Sequence, residues 1–480
     1  MTGILVMRQV SRLLVALWAA TSLTCTADAA ATSSSNCSTP THFFTQLVEH
    51  ETSSSKATFQ QQYQIVADHF KPGGPILYYQ QAETSLFACM EWTILPEWAA
   101  ELGALVITLE HRFFGLSDPS NASDPVEKYQ SLTLENVMLD AVNFISHVKN
   151  TTAGAKDSKV LVMGGSYGGF LTTVLKMNHP DVFYGALPFA APLRSIGANY
   201  QNPQRYNWFI WLTQVYWDLS ASAAGKMKHA FEVLGKRIQA ATDTKSIAKD
   251  FGLCSVPNTT ADLQEVMGVI NTVQYQIPQL GFVNPIANPT GANVEKLVNQ
   301  TLLLDDPVKI INASLNMWYP SSLYPCVPWG NGESVNPTLQ LDSFNYLLCK
   351  YFPLSVNEVP DGTIFVPTSV QTESDPQTCE TKYNITPSTQ DRVETQYHIT
   401  RDELVNAKRI LFAYNEFDPT TAVGIEPLPL TQDRNASRYM FTTLSSHGEE
   451  SLASYPGDRP TVVHARNLQL QTFKEWLGMY

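Results

Sequence analysis

Apolar positions in the first third of the chain switch between two periods. Phe59 to Val66 reads as a strand, and Pro75 to Tyr79 and Leu105 to Leu109 are short apolar runs of buried-strand length. Between the last two, Trp92 to Leu102 keeps helical spacing. Leu134 to Val148 is a second helix, with Val137, Val142, Phe144 and Ile145 available for burial, and Lys159 to Met163 is a further strand. Strand and helix that alternate in this way predict a mostly parallel sheet, an α/β fold.

From about Pro192 to Tyr346 the pattern changes. Helical stretches rich in aromatics, with Trp208, Trp211, Tyr216 and Trp217 close together, replace the strand series and predict a helical insertion, or cap. Alternation resumes with a helix from Arg401 to Ala407, strands from Arg409 to Tyr414 and Tyr439 to Thr443, and a closing helix from Pro460 to Leu477. The Ser/Thr-rich stretch before Ser55 is expected to be irregular.

The most informative local feature lies between the strand at Lys159 and the helix that starts at Phe170. Gly164-Gly165-Ser166-Tyr167-Gly168-Gly169 satisfies G-x-S-x-G in the strand, turn and helix setting of a nucleophile elbow. Larger side chains two residues either side of the serine would collide with strand and helix, and glycine removes them. The serine hydroxyl is then exposed above the sheet. The helix N-terminus with the Tyr167 N–H can supply part of an oxyanion hole.

In this fold class the partners follow in the order serine, acid, histidine. His179 ends the elbow helix, about 20 Å away at 1.5 Å per residue. His229 lies in the insertion, His398 just before a helix and His464 inside the closing helix. His447 follows the last strand on a loop and is the candidate general base. Asp418, after the preceding strand and followed by Pro419, is the candidate acid, with Glu416 on the same loop as its rival.

Composition narrows the setting. Hydrophobic residues make up 44% and charged residues 16%, which suits a globular chain. Lys+Arg 31 against Asp+Glu 44 gives a net charge of −13, so nucleic acid is not an expected partner. Arg8 and Arg12, the apolar run Leu13 to Ala20 and Ala27-Asp28-Ala29 read as a secretory signal peptide, too short to span a bilayer. No stable membrane anchor is expected. Beyond the leader, Cys37, Cys89, Cys254, Cys326, Cys349 and Cys379 form an even set in an oxidising compartment, so disulfides are expected while their pairing stays open. Sequons at Asn36, Asn121, Asn150, Asn258, Asn299, Asn312, Asn384 and Asn435 predict a glycoprotein.

With these residues in hand, the chain resembles the serine peptidase family of lysosomal Pro-X carboxypeptidase, dipeptidyl peptidase II and thymus-specific serine protease. Gln46, Glu49 and His50 fit an early Q-x-x-D-H-like element, and Glu110-His111-Arg112-Phe113-Phe114-Gly115-Leu116-Ser117 fits E-H-R-Y-Y-G-x-S. Tyr129, Leu132, Thr133, Asp140 and Phe144 fit the segment that follows, and the elbow fits G-G-S-Y-G-G. Asp418-Pro419 fits the acid loop, and Ser446-His447 with Asp458 and Arg466 fits the histidine segment. The resemblance implies an α/β-hydrolase fold with an inserted helical cap: residues 1–29 a signal peptide, 30–191 the first part of the hydrolase domain, 192–346 the cap and 347–480 the second part. It implies Ser166, Asp418 and His447 as a triad, exopeptidase cleavage beside proline, a secreted or lysosomal setting, and Cys349 paired with Cys379 and Cys254 with Cys326.

One loop and two single positions depart from the family pattern. Gln81-Ala82-Glu83-Thr84 stands where the family has a G-N-E-G-like loop that serves the oxyanion hole and the substrate end, keeping only Glu83. Thr420 replaces a tryptophan that shapes the pocket near proline, and Gly448 replaces a second histidine. The expected oxyanion contacts are at Tyr167 and Gln81. Glu83, Phe170 and Thr420 are the expected substrate contacts, with Glu83 suited to a free substrate amine. Arg112 is expected in a buried structural pair. Peptides are the expected partners, no metal or organic cofactor is needed, and homodimerisation is left open. The competing readings are an esterase or lipase with the same triad and an inactive binding protein on this fold.

Overall fold

The structure is a computed structural model that describes residues 37–51, 56–84, 89–196, 207–240, 244–330, 341–352, 356–366, 369–371 and 374–479. The proposed leader and Asn36 lie outside these residues.

Eight strands form the main sheet: β1 (Thr41–Leu47), β2 (Thr58–Val66), β3 (Ile76–Gln80), β4 (Leu105–Leu109), β5 (Val160–Gly165), β6 (Phe183–Phe189), β7 (Leu411–Asn415) and β8 (Arg438–Thr442). Their spatial order is β1-β2-β4-β3-β5-β6-β7-β8. β2 runs antiparallel to both β1 and β4, and every pairing from β4 to β8 is parallel. The chain lays β4 on one side of β3 and β5 on the other. The strand order therefore reverses at β3, and the C-terminal ends beside it are where such sheets bind ligands.

Two strands differ from the sequence expectation. β1 lies where an irregular segment was expected, because it is an edge strand whose alternation is mostly polar and exposed. β6 lacks a clear strand signature, since Gly185 and Pro188 interrupt its apolar run. Gly185 is required by packing: a Cβ there would stand 2.9 Å from the Trp476 ring of the closing helix and from Leu161.

The sheet is flanked by helices α1 (Leu95–Leu102), α2 (Leu134–Thr151) and α3 (Tyr167–Asn178). The chain then enters a helical region with α4 (Asn207–Leu219), α5 (Ala221–Ala240), α6 (Thr260–Leu280), α7 (Val294–Leu302) and α8 (Pro307–Trp318). These helices build their own apolar core around residues such as Leu212, Tyr216, Phe231, Ile270 and Leu315. Val359, Ile364, Phe365 and Val366 pack into that core as well, although they follow residue 346. α9 (Leu341–Tyr351) returns to the sheet core through Phe344 and Leu347, and α10 (Arg401–Asn406) and α11 (Pro460–Leu477) complete the cover.

α6 reaches from this helical core to the sheet. It begins with a capping box between Thr259 and Asp262 and carries Pro278 in its last turn. A proline cannot donate to the carbonyl four residues back, so the Gln274 carbonyl is free. The Tyr216 hydroxyl donates to it at 2.9 Å.

Disulfides join Cys37 to Cys89, Cys254 to Cys326 and Cys349 to Cys379. No helix among the described residues is long and apolar enough to cross a membrane.

Candidate active site

Ser166 sits between β5 and α3 with φ 55° and ψ −123°, a conformation that side chains rarely adopt. Its N–H donates to the Phe189 carbonyl at 3.0 Å, and its own carbonyl accepts from the Phe170 N–H at 2.9 Å. The glycines around it are sterically required. A Cβ at Gly164 would lie 2.7 Å from the Gly168 carbonyl oxygen, and one at Gly168 would lie 2.9 Å from the Gln80 carbonyl oxygen. The turn thus presses β3, β5 and α3 together at the sheet's C-terminal edge, and the first N–H groups of α3 have no acceptor within the helix.

Asp418 and His447 come from the loops after β7 and β8. Asp418 Oδ2 stands 2.7 Å from His447 Nδ1, and both side chains are buried. The other carboxylate oxygen accepts from the Thr420 N–H at 3.0 Å, while the Thr420 hydroxyl lies 3.3 Å from the same imidazole nitrogen. A carboxylate at Nδ1 favours the tautomer that carries its proton there and leaves Nε2 as the base. His447 Nε2 is buried and has no hydrogen-bond partner among the described residues, so it is not hydrogen-bonded to Ser166.

Ser166 and Thr420 line one narrow pocket, together with Pro192, Trp208, Tyr275, Gln279 and Val423. Its walls are largely apolar. Trp208, Tyr275 and Gln279 come from α4 and α6, so the helical region supplies part of the wall at Ser166. Sequence reasoning did not reach these wall residues or Pro192 and Val423, because only tertiary packing brings them to the serine. Trp208 stood out solely as part of an aromatic cluster.

The histidine loop is anchored on two sides. The Ser446 hydroxyl donates to the Pro278 carbonyl and the His447 N–H to the Gln279 carbonyl, each at 2.9 Å. These acceptors are among the last carbonyls of α6, which have no intrahelical donor. On the sheet side, the Gly448 N–H donates to Asn415 Oδ1 at 3.0 Å, and Asn415 Nδ2 donates to Glu450 at 2.7 Å. Burial pushes the Glu450 carboxyl up to about 7, opposed by the Asn415 hydrogen bond. Arg466 donates to the Glu450 carbonyl and pairs with Asp458, so both residues matched to the histidine segment lie behind it.

The remaining expected residues divide. Tyr167 is the first residue of α3, and its hydroxyl lies 3.1 Å from His111 Nε2. Gln81 follows β3 beside the elbow, with its side chain donating to the Thr108 hydroxyl at 2.8 Å, so only its backbone is available to a ligand. Glu83 is fully buried, neither carboxylate oxygen has a partner among the described residues, and burial pushes its carboxyl up to about 8. Phe170 does not line the cavity: it packs in the core, 4.9 Å from the Phe352 ring centre. Glu416 is directed elsewhere, accepting from the Leu444 N–H at 2.7 Å. Asn121, Asn150, Asn258, Asn299, Asn384 and Asn435 are exposed, whereas Asn312 is half-buried and donates to the Asp250 carbonyl.

The strand order, the elbow after β5, and an acid and a histidine after β7 and β8 define a serine hydrolase of the α/β-hydrolase fold. The sequence model of "Serine carboxypeptidase S28" matches residues 46–295, more than half of the chain, and the chain belongs to that family. It is a serine-type peptidase. Lysosomal Pro-X carboxypeptidase of Homo sapiens is 24% identical over 454 residues, covering 91% of this chain and 88% of that protein. Thymus-specific serine protease of Mus musculus is 22% identical over 88% of this chain and 85% of its own length. A probable extracellular serine carboxypeptidase of Arthroderma benhamiae is 28% identical over 34% of this chain and 24% of its own length.

Proposed function

We propose that this peptidase is an exopeptidase of the secretory pathway, extracellular or lysosomal, that cuts peptide bonds next to proline through Ser166, His447 and Asp418. The observation that carries the reading is Asp418 Oδ2 at 2.7 Å from His447 Nδ1, with Nε2 unpartnered and Ser166 on the same cavity as Thr420. His447 Nε2 takes the Ser166 proton as Oγ attacks the substrate carbonyl, and Asp418 stabilises the imidazolium that forms. The Tyr167 and Gln81 N–H groups receive the developing oxyanion. His447 then protonates the departing amine, an acyl-enzyme remains, and water releases it by the reverse proton path.

Pro192, Trp208, Tyr275 and Val423 offer an apolar wall for a prolyl ring. The helical region acts as a cap over one peptide end. Glu83, buried without a side-chain partner among the described residues, is suited to a substrate ammonium, which would favour release from the amino-terminal side. The three disulfides and the lysosomal and extracellular relatives support the location.

The test is mass spectrometry of products from one proline-bearing peptide blocked at its amino end, then at its carboxyl end. Cleavage beside proline that disappears with one block, and altogether in Ser166→Ala, is the expected result. Turnover of esters alone, or equal cleavage of both blocked peptides, contradicts the exopeptidase reading.

A further inference from the structure

Gln279 is, with Thr420, a polar residue of the pocket wall at Ser166. It is 2% exposed, and its side-chain Oε1 is buried with no hydrogen-bond partner among the described residues. Such a group loses its water without compensation, at a cost on the order of a typical hydrogen bond or more. Gln279 is also held firmly: Pro278 precedes it, Gly281 follows two residues on, and its backbone carbonyl accepts the His447 N–H at 2.9 Å.

We propose that Gln279 determines specificity by accepting, at Oε1, a hydrogen bond from the nitrogen of the substrate residue that precedes the prolyl residue in the cavity. The inference rests on the proline-directed reading above and deepens it. A prolyl residue has no N–H of its own. The first donor upstream of its carbonyl is therefore the nitrogen of the preceding residue, an amide N–H in a longer peptide and an ammonium at a chain end. A substrate that supplies this donor satisfies a site atom otherwise left bare, and one that lacks it leaves the penalty in place. Because the same residue carries the His447 backbone, the acceptor and the base share one rigid support. Substituting the side chain leaves that backbone contact intact.

The experiment uses the full chain and two matched chromogenic substrates, one with the N–H on the residue before proline and one N-methylated there. Gln279→Met, which keeps the volume and removes the acceptor, lowers kcat/KM about 10- to 100-fold on the N–H substrate. On the methylated substrate it changes kcat/KM less than about twofold. Gln279→Glu, which keeps an acceptor, retains activity on the N–H substrate and gains on one with a free ammonium. Fluorophosphonate labelling of Ser166 at the wild-type rate in both variants shows the base undisturbed. Equal losses on the two substrates, or a Gln279→Glu variant as weak as Gln279→Met, overturns the assignment while leaving the proline-directed reading standing. A wild type that cleaves neither substrate removes both.

Discussion

Two buried carboxylates, Asp140 behind the elbow and Glu83 beside it, have opposite surroundings. Asp140 meets Arg112 Nε and Nη2 at 2.6 Å each, His50 Nε2 at 2.8 Å and Gln61 Nε2 at 3.4 Å. Arg112 is itself fully buried and donates on to the carbonyls of Leu47, Val48 and Ser131. Glu83 has no partner among the described residues, and its carboxyl is pushed up to about 8. A buried charge with every lone pair used fastens strands and helices together. A buried carboxyl with no side-chain partner among the described residues keeps the cost of its burial, which a cationic group brought to it would offset.

The largest expected effect breaks the satisfied side. Asp140→Ala leaves the Arg112 guanidinium buried and uncompensated, and should destabilise the fold by about 3–5 kcal/mol, read from the midpoint of urea unfolding. A loss below about 1 kcal/mol would mean that water or another group takes the place of Asp140. On the other side, Glu83→Gln should leave stability unchanged or raise it slightly at pH 8. The same change should lower kcat/KM about 10- to 100-fold on peptides with a free amino terminus and spare acetylated ones. A Glu83→Gln protein that unfolds readily would move Glu83 to the structural side of the comparison.

Much of this contrast is legible from sequence, but unevenly. β3, β4, β5 and β7 are short apolar runs and the elbow is a G-x-S-x-G motif, so all five are local signals. The placement of His447 and Asp418 after the last two strands followed from chain order, and the pairing of Arg112 was anticipated. β1 and β6 were hidden, one by edge polarity and the other by Gly185 and Pro188. Phe170, an expected substrate contact, is turned by its helix into the core. The cavity wall was illegible for a different reason. Trp208, Tyr275 and Gln279 lie far from Ser166 along the chain, and only the packing of α4 and α6 against the acid and histidine loops brings them there.

A third expected effect follows from proton binding. Burial raises Glu83 to about 8 and Glu110 and Glu450 to about 7, against an ordinary value of 4.5. The unfolded chain gives up these protons near 4.5, so between there and 7–8 the native state holds more protons than the unfolded state. Stability from these groups is therefore present at acid pH and falls as pH rises through that window. The thermal midpoint should decrease from pH 5 toward pH 8, and Glu450→Gln should flatten the slope while keeping the Asn415 contact. A midpoint that rises over this range would contradict the assignment.

The smallest effect concerns the hydroxyl 3.3 Å from the imidazole. Thr420→Val preserves the backbone N–H that Asp418 accepts and should lower kcat only a few-fold. A loss of a hundredfold or more would give that hydroxyl a larger share in orienting His447 than the carboxylate geometry implies.

The central claim is tested most directly by reacting the protein with a fluorophosphonate and locating the adduct by mass spectrometry. The account predicts a single adduct on Ser166, lost in Ser166→Ala and formed orders of magnitude more slowly in His447→Ala. An adduct on another residue, or labelling of His447→Ala at the wild-type rate, would contradict it.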